Sequence, residues 1–94
     1  MTPTEYRWAY AERVKQARKE SGYTQDQMAR LLRLTQPTYS KYESGRGEDA
    51  PSLLPQHLIQ DFCLICRVNI EWLVTGEGPM KASRPSKERG NDAA

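Results

Sequence analysis

Three polar side chains within six residues, Gln36, Thr38 and Lys41, have the chemistry needed to bind the edges of nucleic acid bases. A glutamine amide can bond adenine in bidentate fashion, a threonine offers thymine a methyl and a hydroxyl, and a lysine reaches guanine acceptors or a phosphate. Helical spacing turns Tyr39 and Tyr42 inward and leaves these polar side chains outside. An ordinary solvated helix face has the same composition, so the residues alone leave both interpretations open.

A second motif of possible chemical interest is the C-x-x-C formed by Cys63 and Cys66. A redox pair with this spacing is expected near a βαβ pattern, and no strand is predicted here. A zinc site needs two further ligands, and the chain offers only His57. We therefore expect two buried thiols, an exposed His57, and neither metal nor cofactor. Because no nucleophile–base pair, carboxylate pair or phosphate-binding glycine loop is evident, the protein is predicted not to be an enzyme.

Five short helices and no strand are predicted to position these residues, because the apolar residues follow helical spacing and loops interrupt them at short intervals. Thr24 and Gln27 form a capping box, Pro37 and Pro55 suit first turns, and Gly22 ends the first helix. The predicted elements are Thr4–Ser21, a helix of about nine residues from Thr24, Thr35–Ser44, Leu54–Cys66, and a short helix capped by Asn69 and closed by Gly76.

The chain of 94 residues is long enough for one domain, predicted over 1–80, followed by a disordered polar tail over 81–94. No apolar run spans a membrane and no signal-peptide segment is visible, so a cytoplasmic protein is expected. Residues 1–46 carry a net charge of +4, 47–80 of −4 and 81–94 of +2. A basic half beside an acidic half is typical of a domain with one anion-facing side.

The segment from Thr24 to Gly45 carries most of the information about function. It predicts two short helices separated by a tight turn at Arg33 and Leu34. Helices joined in this way cross steeply, as in a helix-turn-helix, and the second helix presents its N-terminal side chains outward.

Residues from about 10 to 79 resemble the Cro/CI-type (XRE-like) helix-turn-helix family of phage and bacterial repressors. The resemblance implies an all-α, compact, five-helix, lambda-repressor-like DNA-binding domain whose helices 2 and 3 form the helix-turn-helix. It also implies a sequence-specific transcriptional regulator, of phage or prophage repressor type. The residues that carry it are Arg13, Arg18, Gly22-Tyr23-Thr24-Gln25, Met28-Ala29, Thr35, Tyr39, Tyr42-Glu43-Ser44-Gly45 and the run from Val68 to Pro79.

Position by position, the resemblance assigns base contacts to Gln36 and Lys41, with Thr38 between them. Pro37 occupies a further base-contacting position and cannot bond a base. Gln25 matches a residue that touches a DNA phosphate and braces the recognition helix. The resemblance further gives the phosphate-contacting or bracing residues as Thr24, Gln25, Ser40 and Arg46, and a structural ion pair as Arg18 with Glu43.

The expected partner is double-stranded DNA with a pseudo-palindromic operator, bound by a homodimer whose recognition helices lie about 34 Å apart. The resemblance places the dimer contact at the last helix, at Ile70, Trp72 and Leu73. Neither a membrane nor a small-molecule ligand is predicted as a partner. The basic tail is expected to be a solvated linker, with a DNA-contacting arm as the alternative.

Three features depart from the family pattern: Arg33 and Arg67 stand where glycine is usual, and the loop at Glu48 and Asp49 is acidic. A positive φ at Arg33 would cost about 1 kcal/mol. The acidic loop and C-terminal half leave room for a second interpretation, an antitoxin-type protein-binding module that also regulates its own operon. An activator or a restriction-modification controller would share the fold and is not distinguished by sequence.

Overall fold

A computed structural model of the chain describes residues 1–45 and 49–82. These residues form five α-helices and no strand element, which confirms the all-α prediction. The helices are α1 (Pro3–Glu20), α2 (Gln25–Leu31), α3 (Gln36–Ser40), α4 (Gln56–Cys66) and α5 (Ile70–Thr75). Within the described ranges no helix is long and apolar enough to cross a membrane.

Side-chain caps fix where the first two helices begin. The predicted capping box of α2 is confirmed, because the Thr24 hydroxyl accepts from the Gln27 amide while the Gln27 side chain accepts from the Thr24 amide. A second box, formed by Thr2 and Glu5, starts α1 one residue before the predicted position. In both cases the box supplies partners to amides that the first helical turn leaves unpaired.

Two other helix boundaries were predicted wrongly. The α-helical part of α3 ends at Ser40 rather than Ser44, because hydrogen bonds such as Glu43 N–H to the Ser40 carbonyl tighten the following turn. Helix α4 begins at Gln56 rather than Leu54, and Pro55 precedes its first turn in an extended conformation (ψ 146°). The predicted recognition helix is therefore a short helix followed by a turn.

The core lies where α1, α2, α3, α4 and α5 meet. Both tyrosines of the α3 segment are buried, as predicted, and Tyr39 is fully enclosed. The other large side chains that are fully buried include Met28, Phe62 and Leu73. One apolar cluster therefore receives side chains from all five helices.

The C-terminal end of α5 is attached to α1 by two donors that the sequence did not assign. The Arg13 guanidinium donates to the carbonyls of Leu73 (2.8 Å) and Val74 (3.1 Å), and the Tyr6 hydroxyl donates to Val74 (2.6 Å). A cation at this end also interacts favourably with the helix dipole. Arg13 thus stabilises the last helix against the first.

The chain beyond α5 returns across the start of that helix. The Asn69 amide donates to the carbonyls of Pro79 and Lys81 instead of capping α5 with its side chain. Val68 and Lys81 form an isolated β-bridge, and the Ala82 backbone amide donates to the Arg67 backbone carbonyl. Hydrogen bonding thus continues two residues past the predicted domain end at 80, while 83–94 of the predicted tail lie outside the described residues.

The two cysteines are free and buried, as expected, and His57 is exposed. Burial raises the pKa of the Cys63 thiol to about 11, and it also raises the pKa of Cys66. Both thiols therefore stay protonated near neutral pH, which is the behaviour of core residues rather than of a reactive redox pair.

Two arginines occupy left-handed backbone positions, Arg33 with φ 63° and Arg67 with φ 58°. Arg33 lies in the turn between α2 and α3, and Arg67 ends α4. A side chain at such a position crowds its own backbone, and glycine is free of that cost. The predicted strain at Arg33 is thus present in the structure.

We expect Arg33→Gly to raise the free energy of unfolding by about 0.5–1 kcal/mol, since relief of strain outweighs the added flexibility of the unfolded chain. Urea denaturation followed by circular dichroism would measure it. Arg33→Gln is the matched control and should show no gain, because it keeps a β-carbon. An equal gain in both variants would show that loss of charge, and not backbone strain, is responsible.

Candidate nucleic-acid interface

A buried ion pair joins α1 to the turn that follows α3. Arg18 Nε lies 2.6 Å from Glu43 Oε2, and Arg18 Nη2 lies 3.0 Å from Glu43 Oε1. The two residues are 8% and 1% exposed, so the pair is almost fully removed from water. The structure thus contains the ion pair that the resemblance implied.

Glu43 accepts two further hydrogen bonds at this site. The Tyr39 hydroxyl donates to Oε2, and the Gln25 amide nitrogen donates to Oε1 at 3.0 Å. Burial alone would raise the pKa of Glu43, but the hydrogen bonds from Arg18, Tyr39 and Gln25 hold it below its ordinary value. The same burial and the bond to Glu43 raise the pKa of Tyr39, which therefore remains a donor.

The hydrogen bonding continues from Glu43 to the first residue of α3. The Gln25 side-chain oxygen accepts from Gln36 Nε2 at 2.7 Å. Because an ionised carboxylate can only accept, the Gln25 nitrogen must face Glu43 and its oxygen must face Gln36. Gln36 retains one amide proton and its carbonyl oxygen, which is the donor–acceptor combination that an adenine edge requires.

A shallow groove of about 270 Å³ runs along α3 and the following turn. It brings together Gln36 and Lys41, two of the three predicted base-contacting residues. Thr38 does not line it, and the Thr38 hydroxyl accepts a hydrogen bond from Thr35 (2.9 Å). The complete lining is Gln36, Pro37, Ser40, Lys41, Ser44 and Gly45.

The other residues that were predicted to contact phosphates or to brace α3 differ in their positions. Ser40 lines the groove, whereas Thr24 uses its hydroxyl to cap α2. Arg46 and Glu48 lie outside the described residues. Ser44, which the sequence analysis treated only as part of a helix end, is an exposed groove residue. Ser44 lies three residues after Lys41, and residues with this spacing lie on the same side of a helix, so the spacing could have identified Ser44 as a groove residue.

Gly45 allows the chain to pass close to the end of this groove. A β-carbon at Gly45 would collide with the Asp49 carbonyl group and would lie 3.3 Å from the Trp8 ring. Backbone that close leaves no room for any side chain, so glycine is required here. The Asp49 backbone and the half-exposed Trp8 thus form the neighbourhood of the α3 turn.

The predicted dimer contact needs a correction. Leu73 is 0% exposed and Trp72 is 9% exposed, because both side chains pack into the core, and only Ile70 (54%) faces outward. Leu73 therefore cannot form part of a contact surface in this conformation, and Trp72 offers very little area.

Comparison with known proteins shows which of them resemble the segment that contains α2 and α3. A helix-turn-helix family model matches residues 14–54, which run from within α1 to just before the start of α4. Residues 14–54 of this chain are therefore similar to helix-turn-helix domains. The match contains Arg18, Gln25, Gln36 and Glu43, and it includes the whole of α2 and α3.

One similar protein is the SPbeta prophage-derived uncharacterized HTH-type transcriptional regulator YonR of Bacillus subtilis (strain 168). It is 44% identical over 39 residues, which cover 42% of this chain. The matched segment spans 36% of that relative, so this chain corresponds to only about a third of its length. No solved structure matches the chain with significant similarity.

Glu43→Gln should lower the free energy of unfolding by about 3 kcal/mol at pH 7, because it leaves the Arg18 guanidinium buried without its counter-charge. The folded pKa of Glu43 lies below its ordinary value of 4.5. The stabilisation from the carboxylate is therefore complete above pH 4.5 and is lost as the pH falls through the lowered pKa.

Urea denaturation of both proteins at pH 7 and pH 3 would check this prediction. The difference between wild type and Glu43→Gln should narrow at pH 3. Glu12→Gln removes a carboxylate whose side chain is 68% exposed and serves as the control, with little change at either pH. An equal Glu43→Gln deficit at both pH values would contradict the assigned charge pairing.

Proposed function

We propose that this protein is a sequence-specific, double-stranded DNA-binding regulator of transcription, of the phage or prophage repressor type, which inserts α3 into the major groove. The observation that carries the proposal is the hydrogen-bonded path from Glu43 through Gln25 to Gln36. This path holds the side-chain amide of Gln36 in a fixed orientation at the groove along α3, where it could contact the edge of a base. The relative from Bacillus subtilis, named as an HTH-type transcriptional regulator, supports the same interpretation.

Affinity and sequence choice would come from different groups. Lysine and arginine side chains neutralise phosphates and supply affinity that falls steeply with salt. Gln25 uses one amide proton on Glu43 and keeps a second for a phosphate. Gln36 and the exposed Lys41 would contact bases, with Thr38 contributing its methyl group. No catalytic role is proposed for any of these residues.

A gel-shift titration with the DNA upstream of the gene, across a salt series, tests the proposal directly. We expect retardation at low salt and progressive loss as the salt concentration rises. Folded protein at micromolar concentration that causes no retardation at low salt would overturn it.

Gln36→Ala should weaken binding to the cognate site by about 1–3 kcal/mol and relax the preference for one base pair, because the bidentate contact is lost. Competition with cognate and random duplexes would measure both effects. Gln16→Ala, an exposed glutamine on α1, is the control and should change neither. Unchanged affinity and discrimination in Gln36→Ala would show that another segment contacts the bases.

We further propose that two copies bind a pseudo-palindromic operator as a homodimer, with Ile70 as the exposed member of the predicted contact. Two recognition helices then face the same side of the duplex one helical turn, about 34 Å, apart. Inserting about five base pairs between half-sites rotates one half-site to the opposite side of the DNA. This insertion should reduce binding to that of a single half-site in the same gel-shift assay, and an insertion without effect would indicate independent monomers.

A further inference from the structure

A large apolar groove lies between α1, α4 and α5, and it shares no lining residue with the groove along α3. Its volume is about 1120 Å³. Ligand sites in proteins are typically apolar recesses of roughly 300–1,000 Å³ with a few polar groups, so this groove is large enough for a small organic molecule. The side chains that matter below are Tyr6, Tyr10, Leu53, Leu64, Arg67 and Ile70.

One side of the groove carries a buried polar atom without a protein partner. Tyr10 lines the groove and is 4% exposed, and its ring packs edge-to-face on Tyr6 at 5.7 Å between centroids. The Tyr10 hydroxyl finds no hydrogen-bond acceptor among residues 1–45 and 49–82. Leaving such a group unpaired costs about 1–3 kcal/mol. Burial raises its pKa to about 12, so it remains a donor near neutral pH.

The rim of the groove is unusually apolar for a surface. Leu64 is 70% exposed, Ile70 is 54% exposed and Leu53 is 41% exposed. Clustered exposed hydrophobic side chains mark interaction sites in soluble proteins, whereas isolated ones need no explanation. Here three of them border a single recess.

A single charged side chain completes the lining. Arg67 is exposed, and it makes no ion pair with any carboxylate in the described part of the chain. It keeps its left-handed φ of 58° although glycine would be less strained there. The groove therefore combines an apolar wall with one cation at its edge, which complements an apolar molecule that carries one negative charge.

We propose that this groove binds a small organic acid with an apolar body. The acid group pairs with Arg67, and the apolar body lies against Tyr6, Leu64 and Ile70. The Tyr10 hydroxyl is enclosed in this conformation, so a movement of its ring on binding brings it within reach of a ligand oxygen that accepts from it. The site does not depend on DNA binding. Only one consequence rests on the proposed function: because Ile70 borders the groove, occupancy would weaken the pairing of two copies on an operator.

The test is a titration of the full chain with N-octanoylglycine, which offers a carboxylate, an amide carbonyl and an apolar tail, followed by amide chemical shifts in nuclear magnetic resonance. We expect saturable one-to-one binding, with shifts concentrated around the groove. Octylammonium carries a similar tail with the opposite charge and should bind at least about tenfold more weakly, because it is repelled by Arg67. DNA binding is measured separately, so its failure would not affect this result.

Two variants with a matched control test the assigned contacts. Arg67→Gln should weaken binding about tenfold, whereas Arg33→Gln, at the other left-handed arginine, should leave it unchanged. Tyr10→Phe should weaken binding about fivefold while the thermal stability stays equal or rises, because it removes an unsatisfied buried hydroxyl. A merely structural tyrosine would show the opposite pattern, with loss of stability and no change in affinity.

Three results would overturn the proposal. The first is the absence of saturable shifts at the groove up to millimolar ligand. The second is binding that neither Arg67→Gln nor Tyr10→Phe changes. The third is sedimentation showing a dimer that Leu64→Asp disrupts and the ligand does not, since a second copy of the chain would then be the occupant of the groove.

Discussion

The arrangement of the candidate DNA-binding site depends on one buried carboxylate. Glu43 accepts from Arg18, Tyr39 and Gln25, and these donors come from α1, α3 and α2. A charge this deeply buried is tolerated only when it is fully paired, so the three helices cannot shift independently without leaving a donor or an acceptor unsatisfied. Breaking the ion pair would therefore destabilise the fold and loosen the attachment of α3 to α1 and α2.

Long helix α1 extends this constraint to the other end of the molecule. Arg18 binds Glu43 near its C-terminal end, and Arg13 binds the last carbonyls of α5 about one turn earlier. The helix-turn-helix and the groove between α1, α4 and α5 are therefore built against a common element, although they share no lining residue. The surface along α3 and the groove between α1, α4 and α5 can therefore serve different functions, while α1 keeps their relative position fixed.

The sequence predicted those parts of the structure that depend on local chemistry. The Thr24 capping box, the inward tyrosines and the strained Arg33 follow from side-chain type and spacing over a few residues. Helices α3 and α4 are shorter than predicted, because the residues after Ser40 form a tighter turn and Pro55 adopts an extended conformation, and the apolar spacing does not distinguish either from a helix. The burial of Leu73 and the unpaired hydroxyl of Tyr10 likewise depend on which helices pack together. The spacing of apolar residues within one helix does not show which other helix that face will contact.

Under the proposed function, the alternation of donors and acceptors from Glu43 to Gln36 also limits how the protein can change its preferred DNA sequence during evolution. Any residue that replaces Gln36 must still donate to the Gln25 oxygen, or it leaves that oxygen unpaired. Side chains that carry an N–H or O–H donor and are long enough to reach that oxygen meet this requirement, whereas glutamate and the aliphatic residues do not. New specificities are therefore most accessible among donor side chains at Gln36, and a substitution at Gln25 would widen the range of side chains that fit.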